Sequence, residues 1–395
     1  MRTIGVVTVG RSDYGSYLPV LRRIQGDPGL RLQLLVAGMH LSPEFGLTVK
    51  MIEADGLEIS ARVDMLLSSD TPEGIAKSMG IGIVGFAQAY ARLRPDLLLV
   101  LGDRFEMHAA AVAAVPFLIP LAHIGGGELT EGAIDDAFRH SMTKLSHLHF
   151  ASTSDYAKRL RQMGEEPWRV IISGAPHLDN LQHIRFMGDA ELSAQYGLRV
   201  NAAPLLVTYH PVTLEYEQAE WQVEELLGAL QQAEMPMVFT LPNADTNGRI
   251  VMRLIEEFVR RHPAATLVAN LGTQGYFSVM RRAMAMVGNS SSGIIEAPSF
   301  ELPVVNIGSR QRGRRQAENV INTGSRRQEI LEGIRRATAP EFRAGLRGMR
   351  NPYGDGHAAD VIVRSLKEIP LGPPLIRKRF VDSDLSAAEL MHAGR

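Results

Sequence analysis

The 395-residue chain contains no cysteine. That absence excludes disulfides, thiolate metal sites and cysteine nucleophiles. An excess of charge of either sign is also missing: 42 basic residues face 43 acidic ones, for a formal net charge of -1. A general nucleic-acid or membrane-surface binder needs a face of one sign, so neither class is expected. Local basic clusters can still hold a small anion. No apolar run reaches the roughly 20 residues that a membrane-spanning helix requires. The longest apolar region, Ala109 to Ile124, contains Pro116 and Pro120 and has histidines at 108 and 123. After Met1 and Arg2, IGVVTVG is a short apolar run ending in glycine. It reads as a first strand and not as a signal peptide. A cytoplasmic protein is expected. Short internal repeats and low-complexity tracts are absent as well.

What is present is an alternation. Hydrophobic residues make up 45% and charged residues 22%, as in soluble globular proteins, and the length calls for two domains. Candidate strands are Ile4–Val9, Arg31–Ala37, Leu97–Leu101, Leu118–His123, His149–Ala151, Val170–Ile172, Leu205–Thr208, Met237–Thr240, Thr266–Ala269, Met284–Val287 and Val304–Asn306. Most are continuous apolar runs, the mark of strands covered on both faces. Helical patterns separate them, as over Gly74–Leu93, Asp135–Leu145, Thr153–Met163, Glu217–Gln232, Gly248–His262 and Tyr276–Ala283. The alternation predicts an α/β fold of two Rossmann-like domains with a central cleft. The segment beginning GAPHLDN has no strand of its own and reads as the connector. Expected boundaries are 1–175 for the first domain, 176–356 for the second and 370–395 for a partly disordered tail.

Ligands of open parallel sheets bind beyond the carboxyl ends of strands, and the polar motifs of this chain occupy those places. The first strand runs into GRSDYG. Arg11 is placed to project toward an anion, while Asp13 either caps the next helix or serves the site. The spacing lacks a full dinucleotide fingerprint. LLLVLG runs into Asp103, which is either the N-cap of a helix starting near Phe105 or a catalytic acid. The next strand ends in GGGELTEGAIDDAFRH. Its glycines let backbone approach a ligand closely. Glu128, Glu131, Asp135 and Asp136 form a dense carboxylate group suited to general acid–base work. Decoration of a helix N-terminus explains Glu131 well and Glu128 poorly. In the second half, LLVTYHP places His210 at a strand end, where it can hold a phosphate or shuttle a proton. VGNSSSGIIEAP then combines serine hydroxyls, free backbone N–H groups and a helix start. This is an anion site in which Ser290, Ser292 and Gly293 cradle a phosphate. Glu296, one turn on, suits ribose hydroxyls. Arg310, Arg312, Arg314 and Arg315 follow the next strand and complement phosphate oxygens.

Taken together, GRSDYG, LLVAGMHLSPEFG, PDLLLVLGDRFE, AHIGGGELTEGAIDDAFRHSMTKLSHLHF, TYHPVT, LPNADTNG, VGNSSSGIIEAPSF and NIGSRQRGR resemble the UDP-N-acetylglucosamine 2-epimerases, specifically their hydrolysing branch. The resemblance implies a glycosyltransferase-B-like fold, with a helix near 357–369 returning to the first domain. It implies anti elimination of a nucleoside diphosphate from an N-acetylated sugar nucleotide, then hydration of the glycal to the free 2-epimer. It carries catalytic roles to Asp103, Glu128, the Asp135–Asp136 pair and His210. Binding roles go to Arg11, Ser290, Ser292, Gly293, Glu296 and Arg312 or Arg314. It favours Asp136 over Asp135 only by distance from Arg139. The base pocket is expected near LPNADTNG and Gly272–Phe277. YHPVT departs from the charged stretch of the non-hydrolysing relatives. The expected partner is a small-molecule sugar nucleotide, with a homodimer by analogy. No cofactor is expected, and no metal, because the acids lack a ligand constellation. A glycosyltransferase of the same architecture and a non-catalytic sugar-nucleotide binding protein are the alternatives.

Overall fold

The computed structural model describes residues 1–69, 71–130, 134–198, 202–210, 212–241, 248–269 and 271–382. Glu131, most of LPNADTNG and the end of the tail therefore lie outside the described residues. The chain divides into two compact units. The first comprises Met1–Glu128, Ile134–Asp179 and Gly356–Arg395; the second comprises Leu129–Ala133 and Asn180–Asp355.

In the first unit, β1 (Arg2–Thr8), β2 (Leu30–Ala37), β3 (Ile59–Val63), β4 (Leu97–Leu101), β5 (Leu121–Ile124), β6 (Leu148–Ala151) and β7 (Val170–Ile172) build one sheet in the order β3-β2-β1-β4-β5-β6-β7. Every pairing is parallel. Helices cover both faces, so the central strands are apolar throughout; Leu97, Leu98, Leu99 and Val100 are all fully buried. The Pro72–Leu93 helix starts at Thr71, whose hydroxyl accepts from Gly74 N at 3.1 Å, and has proline in its first turn. The Ala358–Glu368 helix belongs to this unit and buries Ile362, Val363 and Leu366 in its core.

In the second unit, β8 (Leu205–Thr208), β9 (Met237–Thr240), β10 (Ala265–Val268), β11 (Ala285–Gly288), β12 (Val304–Ile307) and β13 (Val320–Thr323) pair in parallel in the order β10-β9-β8-β11-β12-β13. Side chains alternate between two apolar layers. Leu205, Val207, Val287 and Val305 pack on one face, and Leu206, Met286 and Val304 on the other.

Both sheets are doubly wound, as the alternation predicts. Chain direction reverses between β1 and β4 in the first and between β8 and β11 in the second. Such switch points open a crevice beyond the strand ends. Two strands differ from expectation by being found at all. β3 reads ISARV and β13 reads VINT, each with solvent-facing positions, so neither shows a continuous apolar run. The strand expected to begin at Leu118 begins at Leu121 instead. Leu118 is 69% exposed and ends a turn with φ 54°. The connector has helical pieces, Asn180–His183 and Asp189–Tyr196, and no strand.

Candidate active site

At the switch point of the first sheet, β1 ends at Thr8 and the Arg11–Gly26 helix begins two residues later. Asp13 sits in its first turn. Its carboxylate accepts from Gly10 N, Val9 N and the Thr8 hydroxyl, each at 2.8 Å. Asp13 is thus the local cap of this turn. Burial pushes its pKa up to about 6 against the pull of those donors. Thr8 spends its single proton on Asp13, so the His40 Nε2 contact at 3.0 Å is a donation to Thr8. His40 Nδ1 then accepts from Thr48 at 2.7 Å. Burial drives His40 down to about 4, so its imidazole is neutral at pH 7. Arg11 is the first residue of the helix and its side chain is exposed.

Beyond β4 the carboxylates gather. The Phe105–Ala114 helix has Arg104 as its N-cap residue, with no side-chain cap. Asp103 is therefore not the cap; its carboxylate instead takes a hydrogen bond from Arg139. Arg139 is only 3% exposed and links three groups. It also donates to Asp136 Oδ1 and to the Glu128 carbonyl oxygen, each at 3.1 Å. Glu128 Oε1 accepts from Ser152 Oγ at 2.7 Å, just past the end of β6. Asp136 also faces His140 Nε2 at 3.4 Å. Asp135, its neighbour, has its carboxyl raised above the ordinary range by burial and then by the charge of Asp103. Arg104 forks onto the fully buried Glu106 at 2.9 and 3.1 Å. His123 Nε2–H donates to Gly102 O at 2.8 Å and so fixes the turn that delivers Asp103.

A Cβ at Gly127, where φ is 79°, would lie 2.5 Å from Tyr156 O, so this glycine serves close approach between neighbouring backbones. A Cβ at Gly125 would meet nothing nearer than 3.8 Å.

At the second switch point, β8 and β11 are locked together beyond their ends. His210 N donates to Asn289 Oδ1 at 2.7 Å, and Asn289 Nδ2 donates back to His210 O at 2.8 Å. Gly288 makes this possible: with φ 139°, its Cβ would stand 1.9 Å from Thr208 O. Asn289 O accepts from Arg310 at 3.0 Å and Gln311 at 2.8 Å. The His210 ring is buried, and among the described residues its Nδ1 has no hydrogen-bond partner. Burial, then the Arg310 charge, push it down to about 3. Ser290 Oγ accepts from Ser292 N at 3.3 Å. The Tyr276 hydroxyl shares this corner with Thr208, Ser290, Ser292 and the Glu296 charge, and burial raises it to about 12.

Gly293 donates its N–H to Ser290 O at 3.1 Å, and a Cβ there would press on Val304 at 2.8 Å. Its glycine is needed for packing on β12, and its N–H is already used. Of the basic loop, Arg310 is built into the Asn289 corner, whereas Arg312 is exposed and Arg314 half-buried. Sequence reasoning gave no role of their own to Arg139, Ser152, His40, His123 or Asn289, and placed Tyr276 only within the expected base pocket. Among the described residues, no group of three His, Asp or Glu is placed to hold a metal ion, and no helix is long and apolar enough to cross a membrane.

The model of the UDP-N-acetylglucosamine 2-epimerase family matches residues 22–367. The chain belongs to that family. It is 37% identical, over 96% of its own length and 99% of the relative's, to a Campylobacter jejuni GDP/UDP-N,N'-diacetylbacillosamine 2-epimerase (hydrolyzing). A Legionella pneumophila UDP-N,N'-diacetylbacillosamine 2-epimerase (hydrolyzing) is 35% identical over the same shares. Among solved structures, a UDP-GlcNAc 2-epimerase from Neisseria meningitidis bound to UDP-GlcNAc superposes with a TM-score of 0.79 at 21% identity. That match covers 93% of this chain and 99% of the other. The epimerase-family fold accounts for the order of both sheets, and the carboxylate cluster and the Asn289 corner lie at their switch points.

Proposed function

We propose that this epimerase-family chain is a hydrolysing sugar-nucleotide 2-epimerase acting on UDP- or GDP-linked N,N'-diacetylbacillosamine. The products are the free 2-epimer and a nucleoside diphosphate. The observation that carries the reading is the Arg139 hub, which gathers Asp103, the Glu128 backbone and Asp136 beside a protonatable Asp135. Removing the weakly acidic proton at sugar carbon two needs a positioned base. Glu128, oriented by a neutral hydroxyl, is that base. As the C2–H bond breaks, its electrons form the C1=C2 bond, and the C1–O bond to the diphosphate breaks. In the second step a proton is returned to C2 on the opposite face and a water oxygen adds to C1; the proton that water gives up restores the donor carboxyl, and Glu128 releases the original C2 proton to solvent. Asp135, whose environment favours the protonated form, is the donor; it is preferred to Asp136, which is held in ion pairs. Paired carboxyls with environments pushed apart divide acid from base in this way.

The second unit supplies the anion site. Ser290 and Ser292 hydroxyls, Arg310 and the His210 imidazole are the diphosphate ligands, and Glu296 takes the ribose. His210 is buried neutral with an unpartnered Nδ1, a costly arrangement without a ligand. Roles for Arg11 and for Arg312 or Arg314 require their exposed side chains to turn onto bound phosphate. A homodimer, a cytoplasmic location and a place in sialic- or legionaminic-acid-type sugar synthesis belong to the same reading.

The test is incubation with a panel of UDP- and GDP-sugars in deuterated water. The expected result is a free sugar, deuterated at carbon two, from the diacetamido substrates. Release with the original proton retained at carbon two, or transfer to an acceptor only, overturns the reading.

A further inference from the structure

Residues 373–381 lie beyond the family match, which ends at 367. They nevertheless run across the first unit held by two cations, one buried and one half-buried. Arg169 is fully buried, and all five of its N–H groups are satisfied. It donates to Glu166 at 2.7 Å, His147 O at 3.1 Å, Leu375 O at 2.8 Å, Pro374 O at 3.2 Å and Arg377 O at 2.9 Å. Three of the five acceptors are strap carbonyls. Lys378 Nζ then donates to Thr143 O, Lys144 O and Ser146 O at 3.2, 3.1 and 2.6 Å, and pairs with the buried Glu165 at 2.7 Å. Glu165 also receives Lys144 at 2.7 Å and His149 at 2.9 Å. Phe380 closes over Gly164, where a Cβ would lie 2.5 Å from its ring.

The carbonyls that Lys378 covers are the last of the Ile134–Leu145 helix and its exit turn. Terminal carbonyls carry the negative end of the helix dipole, and an ammonium there both satisfies them and fixes the helix end. The first two turns of the same helix carry Asp135, Asp136 and Arg139. Lys144 and Asp135 are separated by about 14 Å of continuous helix at 1.5 Å per residue. A packed helix moves as a rod, so whatever sets its far end sets its near end.

We propose that the strap is a positioning element for the reaction, and that Lys378 holds the Ile134–Leu145 helix at the depth that Asp135 and Arg139 require. This rests on the function proposed above. The strap touches no substrate; it acts through the helix.

The test uses the full chain with Lys378→Met and Lys378→Arg, each counted by bound UDP so that only folded molecules enter. The expected result for Lys378→Met is a kcat lower by about tenfold, since small misplacements of catalytic groups are costly. KM should stay within about twofold, and Lys378→Arg should restore most of the loss. Amide exchange at residues 134–139, far from the substitution, should rise in Lys378→Met. If Lys378→Met does not accumulate folded, Phe380→Ala carries the test, because that ring is 66% exposed; a smaller fall in kcat is expected. A lowered melting temperature with unchanged kcat and unchanged exchange at 134–139 overturns the proposal. Wild-type chain that yields no C2-deuterated product sinks the function instead, so the two failures are distinguishable.

Discussion

The two sheets share one winding order but finish their strands in opposite chemistry. Past β1 and β4, the first unit sets charge against charge: Asp13, Asp103, Arg104, Glu106, Asp136 and Arg139, most of them buried or half-buried. Past β8 and β11, the second sets amides and hydroxyls: Thr208, Asn289, Ser290, Ser292, with a neutral His210. On the proposed function, the same kind of switch point serves a different job in each unit. Moving a proton needs carboxyls whose environments differ, and low-dielectric crowding of charges provides the difference. Gripping a diphosphate needs donors and little negative charge, which strand ends and serines provide. The largest effect expected from breaking this division is at Glu128. Glu128→Gln should lower kcat by about 10³-fold, the usual scale for loss of a general base, with UDP affinity unchanged by calorimetry. A matching loss of UDP affinity would mean that the division of labour is wrong.

Acid should sharpen the comparison next. In the first unit burial holds His40 down to about 4, His123 to about 3 and His147 to about 4; in the second it holds His210 to about 3. A folded-state value below the unfolded one, about 6.5, means that the unfolded chain binds protons first. The neutral state is fully compatible with folding above that value, and stability is lost as pH falls from it toward 3 or 4. Each such histidine removes about 1.4 kcal/mol per pH unit in that window. Asp13 works the other way. Its folded value, raised to about 6, makes protonation favour the fold as pH drops through 6, offsetting about one histidine. Burial also lowers His108 and His149 in the first unit, so that unit carries the larger share of acid-sensitive histidines. Hydrogen exchange at pH 5 compared with pH 7.5 should show the first unit opening earlier. Equal loss of protection in both units would contradict the assignment.

Legibility followed burial. Strands inside the sheets, such as LLLVL and LLVT, announce themselves because both faces are covered. The edges β3 and β13 do not, because half their residues face solvent. Asp103, His210 and Ser290 stand out as candidates because a polar residue close after an apolar strand is conspicuous; Glu128 and Asp135 stand out through the density of acids after the triple glycine. Arg139 does not. It lies mid-helix, where an arginine normally marks a solvated face, and its role exists only because Asp103, 36 residues earlier, folds against it. The glycines are ambiguous for a related reason. Gly127 and Gly293 are small to admit Tyr156 and Val304, and sequence alone does not distinguish a neighbour from a ligand. Asp135 and Asp136 are adjacent and chemically alike, and only their surroundings separate them.

The smallest effect expected is the most diagnostic of how the first unit treats its acids. Asp103 is tied to a guanidinium, whereas the Glu128 side chain is tied to the Ser152 hydroxyl at 2.7 Å. A guanidinium stabilises the ionised form of a carboxylate and so weakens its pull on a proton; a hydroxyl fixes orientation with far less of that cost. Ser152→Ala should therefore lower kcat by about five- to tenfold, below the general-base loss because the carboxylate remains. Ser152→Thr, which keeps the hydroxyl, should recover it. The pH–rate profile separates orientation from basicity. A fall in kcat with the acidic limb unmoved means that Ser152 only aims Glu128. A limb displaced toward higher pH means that the hydroxyl also stabilises the carboxylate, and the contrast between the two acids is then one of degree.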